Sequence, residues 1–198
     1  MQLKHTRVKT LFLALGLSAT MSTGLMADTT FVTDQDHTEV MFGWSHAGVS
    51  TQNGEFTTAT GTLELGDSLE TSTINVEIDA SSVSTGVEAL DKHLKSEDFL
   101  HVEKFPMMTF TSSSVKMTGE KSMEVEGDLT IHGVTQPVTL ITELTHQGEH
   151  PLGKAFDYYK GDWIAFKATT EIDHQAFGVG SFSTGPIAIT INSELKAK

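Results

Sequence analysis

The chain has 198 residues, with 13 Lys and Arg, 26 Asp and Glu and no cysteine. This length fits one domain with a full hydrophobic core, and the lack of cysteine excludes disulfides, thiol chemistry and cysteine-ligated zinc. The formal charge of −13 at pH 7 disfavours binding to nucleic acid and to anionic lipid surfaces.

Residues 1–27 have the layout of a secretory signal peptide. A basic start is followed by an apolar run over residues 11–19, and Ala27 ends a cleavage site of the small-residue type. The apolar run is shorter than the roughly 18 residues needed to span a bilayer. We therefore expect a periplasmic protein whose domain covers residues 28–198. Cleavage would also remove Arg7, the only arginine, which leaves no guanidinium to clamp a phosphate.

The first part of this domain alternates between apolar and polar residues, which predicts β-strands. Three apolar residues form one face of the first clear strand: Val40, Phe42 and Trp44. The dipeptide Asn53-Gly54 is a strong hairpin signal and predicts a turn. A strand predicted over residues 55–65 changes the parity of its apolar face, which predicts a β-bulge at Gly61.

The segment at about 85–100 does not alternate, and it predicts a short helical insertion. Thr85 and Glu88 have the spacing of a capping box, and Pro106 ends any helix. An apolar stripe lies on one face of the predicted helix: Val87, Leu90 and Leu94. The insertion either completes a core or forms the wall of a ligand site, and the pattern is compatible with both.

Alternation returns after Pro106 and continues to the C-terminus, apart from a loop predicted over residues 146–153. The whole pattern gives about eight strands joined by short connections. It predicts an all-β fold, an up-and-down antiparallel β-barrel with a short helical insertion at about 85–100. Small barrels of this strand number can hold one ligand, as lipocalins do.

Motifs for catalysis and for metal or phosphate binding find little support. His146 and His150 have the i, i+4 spacing of paired metal ligands on a helix, but Gly148 and Pro151 argue for a loop. No Gly-x-Ser-x-Gly elbow and no Gly-x-x-x-x-Gly-Lys phosphate loop occurs. We therefore expect a protein that is not an enzyme, with no catalytic residue, no metal and no cofactor.

Phenylalanines on the inward faces of predicted strands have two explanations. They fill an ordinary packed core, or they line an apolar cavity for a ligand. Periodicity alone does not separate these alternatives. The residues concerned are Phe42, Phe56, Phe110 and Phe166.

Motifs spread over the whole domain together resemble one known family. Asp36-His37-Thr38-Glu39-Val40 resembles a D-x-H-S-x-V start with threonine for serine, and residues 93–99 read HLKSEDF, similar to H-L-[KR]-S-x-D-F. Residues 127–135 read GDLTIHGVT, close to G-x-L-T-x-H-G-V-T. These patterns resemble the YceI family of polyisoprenoid-binding proteins. The resemblance implies an exported, lipocalin-like barrel with a long apolar cavity for an isoprenoid or similar lipid.

This resemblance leads to a hypothesis about the ligand-binding residues. The cavity wall is predicted to contain Phe42, Trp44, Phe56, Leu94, Phe99, Phe110 and Phe166. The polar head of the lipid is predicted to meet His37, His93, Lys95 and Ser96 at the mouth.

The sequence departs from the family pattern where charged residues are usual. His174-Gln175-Ala176-Phe177-Gly178 stands in place of R-x-D-F-G, and Val87 and Leu90 replace the Asn and Arg often found in the helix. Two charges expected in the late segment, near one end of the chain, are therefore missing. We expect a neutral or weakly charged ligand, such as a quinone, a quinone precursor or a fatty amide.

Two alternative functions remain open at this point. One is an enzyme or redox partner that acts on a lipid-quinone, and the other is a stress-related structural protein with a filled barrel. Family analogy also raises a possible homodimer. We expect no nucleic-acid partner and no stable membrane insertion.

Overall fold

The computed structural model describes residues 29–180 and 185–198, so the predicted signal peptide lies outside the described residues. The described residues contain one α-helix, α1, at Glu88–Lys95. They also contain eleven strands: β1 (Thr29–Thr33), β2 (Glu39–His46), β3 (Ser50–Phe56), β4 (Ala59–Leu65), β5 (Thr73–Asp79), β6 (Val83–Ser84), β7 (Met107–Met117), β8 (Ser122–Ile131), β9 (Val134–Glu149), β10 (Asp162–Ile172) and β11 (Ile187–Ala197).

Eight of these strands form a closed antiparallel barrel, which confirms the predicted fold class. Their order around the barrel is β1-β4-β5-β7-β8-β9-β10-β11, and β11 pairs with β1 to complete the ring. Closure satisfies the backbone hydrogen-bonding groups that an open sheet would leave at its edges. Each strand therefore has one face toward the interior and one face outward.

The last strand, β11, has different partners along its length. Residues 188–192 pair with β2, whereas residues 195–197 pair with β1. β2 continues the sheet sideways to β3, and β3 to the short β6. The barrel wall beside β11 is thus extended by three further strands that lead the chain toward α1.

The helical insertion is present, but it begins differently from the prediction. Val87 is the N-cap residue of α1, and Thr85 lies outside the helix. Both the hydroxyl and the backbone N–H of Thr85 donate to Oδ1 of Asp91, at 2.6 Å and 2.7 Å. The predicted capping box is therefore wrong. Thr85 instead fixes the chain before α1 to the helix through the carboxylate of Asp91, in the first turn of α1.

The predicted hairpin turn at Asn53-Gly54 is also wrong, because both residues lie inside β3. Gly54 pairs with Phe42 on β2. A Cβ atom at position 54 would lie only 2.5 Å from Cζ of the Phe42 ring. The glycine is needed because a neighbouring aromatic ring approaches it closely. Asn53-Gly54 therefore does not form a turn.

The strand predicted over residues 55–65 is two strands. The chain leaves β3 after Phe56 and enters β4 at Ala59, so the apolar parity changes between strands. Gly61 pairs with Val76 of β5 in regular register, and the register of β4 against β5 does not shift there. The register shifts that do occur lie at Ser112–Ser114 in β7 and at Ala165–Phe166 in β10.

The loop predicted over residues 146–153 begins later than expected. β9 continues to Glu149, and His146 and Gly148 pair with residues of β10. A short 3-10 helix at Pro151–Lys154 then makes the connection. Pairing with a long neighbouring strand overrides the local turn signals from histidine and glycine.

The contact between Gly127 and Phe110 gives a test of barrel packing. A Cβ atom on Gly127 would lie 2.5 Å from Cζ of Phe110 and 2.5 Å from the carbonyl oxygen of Thr111, so a rigid neighbour would have to move. We expect Gly127→Ala to lower the free energy of unfolding by about 1–3 kcal/mol. Urea denaturation measures this change.

The matched control is Gly119→Ala, in the turn between β7 and β8, where the nearest atom to a new Cβ would be 3.6 Å away. This substitution should change the unfolding free energy by no more than about 0.5 kcal/mol. Equal stability of both variants would contradict the packing described for Gly127.

Candidate functional site

An elongated cavity of about 320 Å³ lies inside the barrel. Its size is at the lower end of the roughly 300–1,000 Å³ typical of small-molecule sites. The alternation of the strands creates it, because every second residue along a barrel strand points inward. On β11 the inward residues are Ile187, Ile189, Ile191, Ser193 and Leu195.

The cavity is long and narrow. Its lining follows β11 from Ile187 to Leu195, a path of roughly 26 Å at about 3.3 Å per residue. Residues from the barrel strands and from β2, β3 and α1 contribute along this length. Such a shape suits an extended chain better than a compact ring system.

The lining is almost entirely apolar. No Lys, Arg, Asp or Glu of the described residues belongs to it. The few polar members are threonines, one serine and one histidine: Thr33, Thr38, Thr62, Thr142, Thr170, Ser193 and His174. An unpaired charge in such surroundings is strongly unfavourable. The cavity is therefore suited to an uncharged occupant.

The structure brings together the seven apolar and aromatic residues predicted for the cavity wall. All of them line the cavity: Phe42, Trp44, Phe56, Leu94, Phe99, Phe110 and Phe166. The Phe42 ring lies 5.8 Å from Trp44 and 5.2 Å from Phe56, between ring centroids, so β2 and β3 form an aromatic wall. Leu90 and Leu94 of α1 also line the cavity, so the helix is part of its wall. A contribution of each residue to ligand binding stays a prediction.

The four polar residues predicted at the mouth lie outside the cavity lining. His93 and Lys95 are in the last turn of α1, and Ser96 is its C-cap residue. The hydroxyl of Ser96 donates to the carbonyl oxygen of His93 at 2.7 Å, which ends the helix. The His93 ring packs edge-on against Phe99, with 4.8 Å between centroids. Their contact with a lipid head group stays a prediction.

His37 belongs to a polar cluster near the start of the barrel. Its Nδ1 atom lies 2.7 Å from Oδ2 of Asp34, and its Nε2 atom lies 3.3 Å from the hydroxyl of Tyr159. The hydrogen bond to Asp34 raises the pKa of His37 above its ordinary value of 6.5. Tyr158 forms a second hydrogen bond to the same Asp34 carboxylate, and this bond raises the pKa of Tyr158 to about 12.

The Asp34 carboxylate is the centre of this cluster. Burial favours its neutral form, but the hydrogen bonds from His37 and Tyr158 outweigh burial, so its pKa lies below the ordinary value of 3.8. The nearby chain is held by Trp163, whose Nε1 donates to the carbonyl oxygen of Tyr159 at 3.1 Å. The cluster therefore links the segment before β2 to the segment before β10.

Thr38 and His174 are among the cavity residues that were not predicted as candidates. Each carries a buried side-chain atom with no hydrogen-bond partner among the described residues, Oγ1 of Thr38 and Nε2 of His174. A signal for both was available in the sequence. Thr38 is in step with the inward face of β2, and His174 is in step with Ile172 at the end of β10.

The histidine pair considered as metal ligands is used in other contacts. Nε2 of His146 lies 3.2 Å from the carbonyl oxygen of Gly148. Nδ1 of His150 accepts a hydrogen bond from the backbone N–H of Leu152 at 3.1 Å, and its ring stacks on Tyr159. Across residues 29–180 and 185–198, no group of three or more possible ligands is placed to hold a metal ion. The same residues include no helix long and apolar enough to cross a membrane.

A closed antiparallel barrel around one elongated apolar cavity defines the lipocalin-like class of β-barrel proteins. The family model described as the YceI-like domain matches residues 31–197, and the chain belongs to this family. A UPF0312 protein of Pseudomonas savastanoi pv. phaseolicola is 36% identical over 186 residues, which covers 92% of each chain.

Two solved structures share the fold. BcnA of Burkholderia cenocepacia superposes with a TM-score of 0.69 at 20% identity, covering 82% of this chain and 98% of that one. A polyisoprenoid-binding domain of Saccharophagus degradans, implicated in plant cell wall breakdown, has a TM-score of 0.64 at 12% identity. That match covers 86% of this chain and 99% of the other. At these identities the likeness supports the fold alone.

The Asp34–His37 pair predicts a pH dependence of stability. The pKa of His37 is raised in the folded state, so its interaction with Asp34 contributes to folding stability. This contribution is complete below pH 6.5 and is lost as the pH rises through the raised pKa. Asp34, with its lowered pKa, stays ionised over that range. We expect His37→Gln to destabilise the protein more at about pH 5.5 than at about pH 8.5. Urea denaturation at the two pH values measures the difference.

The control is the same substitution in an Asp34→Asn background. Asparagine keeps an oxygen that can accept from the backbone N–H of Asp36, as Oδ1 of Asp34 does at 3.2 Å. It removes the charge that holds His37 protonated, so the pH dependence should disappear. An unchanged pH dependence in this background would show that the pair does not cause it.

Proposed function

We propose that this protein binds a long-chain neutral lipid, of the isoprenoid or a related apolar type, inside the barrel and carries it in the periplasm. The observation that carries the proposal is the continuous uncharged lining of a cavity that extends for roughly 26 Å along β11. A chain threaded along this path would contact apolar side chains over most of its length.

The hydrophobic effect supplies the driving force. Each CH₂ group removed from water contributes about 0.8 kcal/mol, so ten carbons contribute roughly 8 kcal/mol before the entropic costs of binding. Affinity should therefore depend mainly on chain length and on the fit to a narrow cavity. The head group would adjust affinity and select among lipids of similar length.

Two observations support an isoprenoid-type, uncharged ligand. The Saccharophagus degradans domain, which has the same fold, is described as polyisoprenoid-binding. The described cavity lining contains no lysine or arginine, and the only arginine of the chain lies in the predicted signal peptide. A diphosphate head group would have no cationic partner within the cavity, so we propose that the ligand is neutral.

The predicted export signal and the acidic exterior fit a carrier role in the periplasm. The chain has 26 acidic and 13 basic residues, and this negative net charge disfavours adsorption of a loaded carrier to anionic membrane surfaces. The lipid would be shielded inside the barrel during transfer. Fractionation of cells that produce the full chain tests this location.

The cavity can be blocked at Ala168, a buried residue of its lining on β10. We expect Ala168→Phe to reduce the affinity for a C20 isoprenoid alcohol by roughly tenfold or more, because the phenyl ring occupies space that the isoprenoid chain needs. Titration followed by tryptophan fluorescence measures the change, since Trp44 lines the cavity.

The matched control is Thr169→Phe. Thr169 is the next residue on the same strand and is exposed on the outer face. This variant adds the same ring without entering the barrel and should bind as the wild-type protein does. Unchanged binding by a folded Ala168→Phe variant, or failure of the wild-type protein to bind any long-chain isoprenoid, would contradict the proposal.

A further inference from the structure

His174 is the one histidine in the described cavity lining, and the residue is almost completely buried, at 7% exposure. It begins the 3-10 helix His174–Phe177 that follows β10. Its Nδ1 atom lies 2.6 Å from the carbonyl oxygen of Val179. Its Nε2 atom is buried and has no hydrogen-bond partner in the part of the chain that the structure describes.

The contact with Val179 fixes which ring nitrogen carries hydrogen. A carbonyl oxygen can only accept, so Nδ1 must be the donor. A neutral imidazole has one N–H group, so Nε2 is left with a lone pair and acts as an acceptor. The described cavity lining includes no carboxylate that could pair with a charged ring. The neutral ring with an accepting Nε2 is therefore the form that suits this site.

The described surroundings of His174 supply no donor for Nε2. Its neighbours in the buried cluster at this part of the barrel are apolar residues, among them Ile172, Phe177 and Val179. An unpaired acceptor in an apolar site is unfavourable. Because His174 lines the cavity, an occupant of the cavity can supply the missing donor.

Thr38 provides a second buried polar atom at a different place along the cavity. Its Oγ1 atom also has no partner among the described residues. Thr38 precedes Val40, which pairs with Ile191, whereas His174 follows Ile172, which pairs with Ile187. The two polar atoms therefore lie beside different parts of β11. Since a hydroxyl both donates and accepts, only His174 selects for the direction of a hydrogen bond.

We propose that the cavity selects lipids that carry a hydrogen-bond donor, an O–H or N–H group, and that Nε2 of His174 accepts this hydrogen bond. The inference rests on the proposed lipid-binding function and specifies its ligand. Alcohols, hydroquinones and primary or secondary amides satisfy it. Ethers, esters and oxidised quinones, which offer only acceptors, do not.

The direct test compares geranylgeraniol with its O-methyl ether, which has the same chain and lacks only the donor. We expect the wild-type protein to bind the alcohol roughly tenfold or more tightly than the ether, because the ether leaves Nε2 unpaired. Competition with a fluorescent fatty probe, displaced from the cavity, measures both affinities.

Variants then locate the origin of the preference. His174→Phe should bring the two affinities within about twofold of each other, mainly by weakening the alcohol. The matched control is His132→Asn. His132 also has a buried Nε2 atom without a partner among the described residues, but it packs against Phe105 and is not part of the described cavity lining. Asparagine tolerates its positive φ of 54°. The control should keep the preference for the alcohol.

A measurement on the wild-type protein alone covers the case in which His174→Phe does not fold. The ¹⁵N resonance of Nε2 should move in the direction of hydrogen bonding when the alcohol is added, and should not do so with the ether.

The outcomes separate the two claims. Equal binding of alcohol and ether, or tighter binding of the ether, overturns the role of His174 and leaves lipid binding intact. Failure to bind either compound overturns the proposed function itself. A preference that persists in a folded His174→Phe variant also overturns the assignment.

Discussion

The pairing of β11 with β1 is the constraint on which the cavity depends. Three residue pairs, from Phe31–Ala197 to Thr33–Leu195, join the last strand to the first and complete the ring of eight. Without this pairing the inward apolar faces would form one side of an open sheet, and a packed layer would have to cover them. With it, the faces enclose a space that their side chains do not fill.

The switch of partners along β11 shapes that space. Where β11 leaves β1, it pairs with β2, and β2 adds Val40, Phe42 and Trp44 to the lining. The helix α1 then adds Leu90 and Leu94. The cavity is thus formed partly by the closed ring and partly by the strands and helix that extend it, which accounts for its length.

Period-two alternation predicted the architecture because each barrel strand has one buried face. All seven predicted wall residues line the cavity. The sequence predictions were wrong where a residue serves a distant partner. Gly54 accommodates the ring of Phe42, and Thr85 binds Asp91. Local turn and capping rules do not contain such contacts, because they depend on which strands become neighbours.

The same limit applies to polar residues in the cavity. His174 stands at the arginine position of the R-x-D-F-G pattern that this segment resembles, but only the structure shows its Nδ1 atom bound to Val179 and its Nε2 atom buried. This geometry leads to the hypothesis that Nε2 of His174 accepts a hydrogen bond from the ligand. The pattern could place His174 on an inward face, whereas the direction of its hydrogen bond depends on the fold of the following loop.

The most direct test of the account is native mass spectrometry of the protein purified from the cells that produce it, followed by solvent extraction of what it carries. The account predicts one lipid per barrel, with a long apolar chain and no charged head group. An empty protein that also fails to take up long-chain isoprenoids, quinones or amides would contradict it. Such a result would favour a filled barrel with an interaction role.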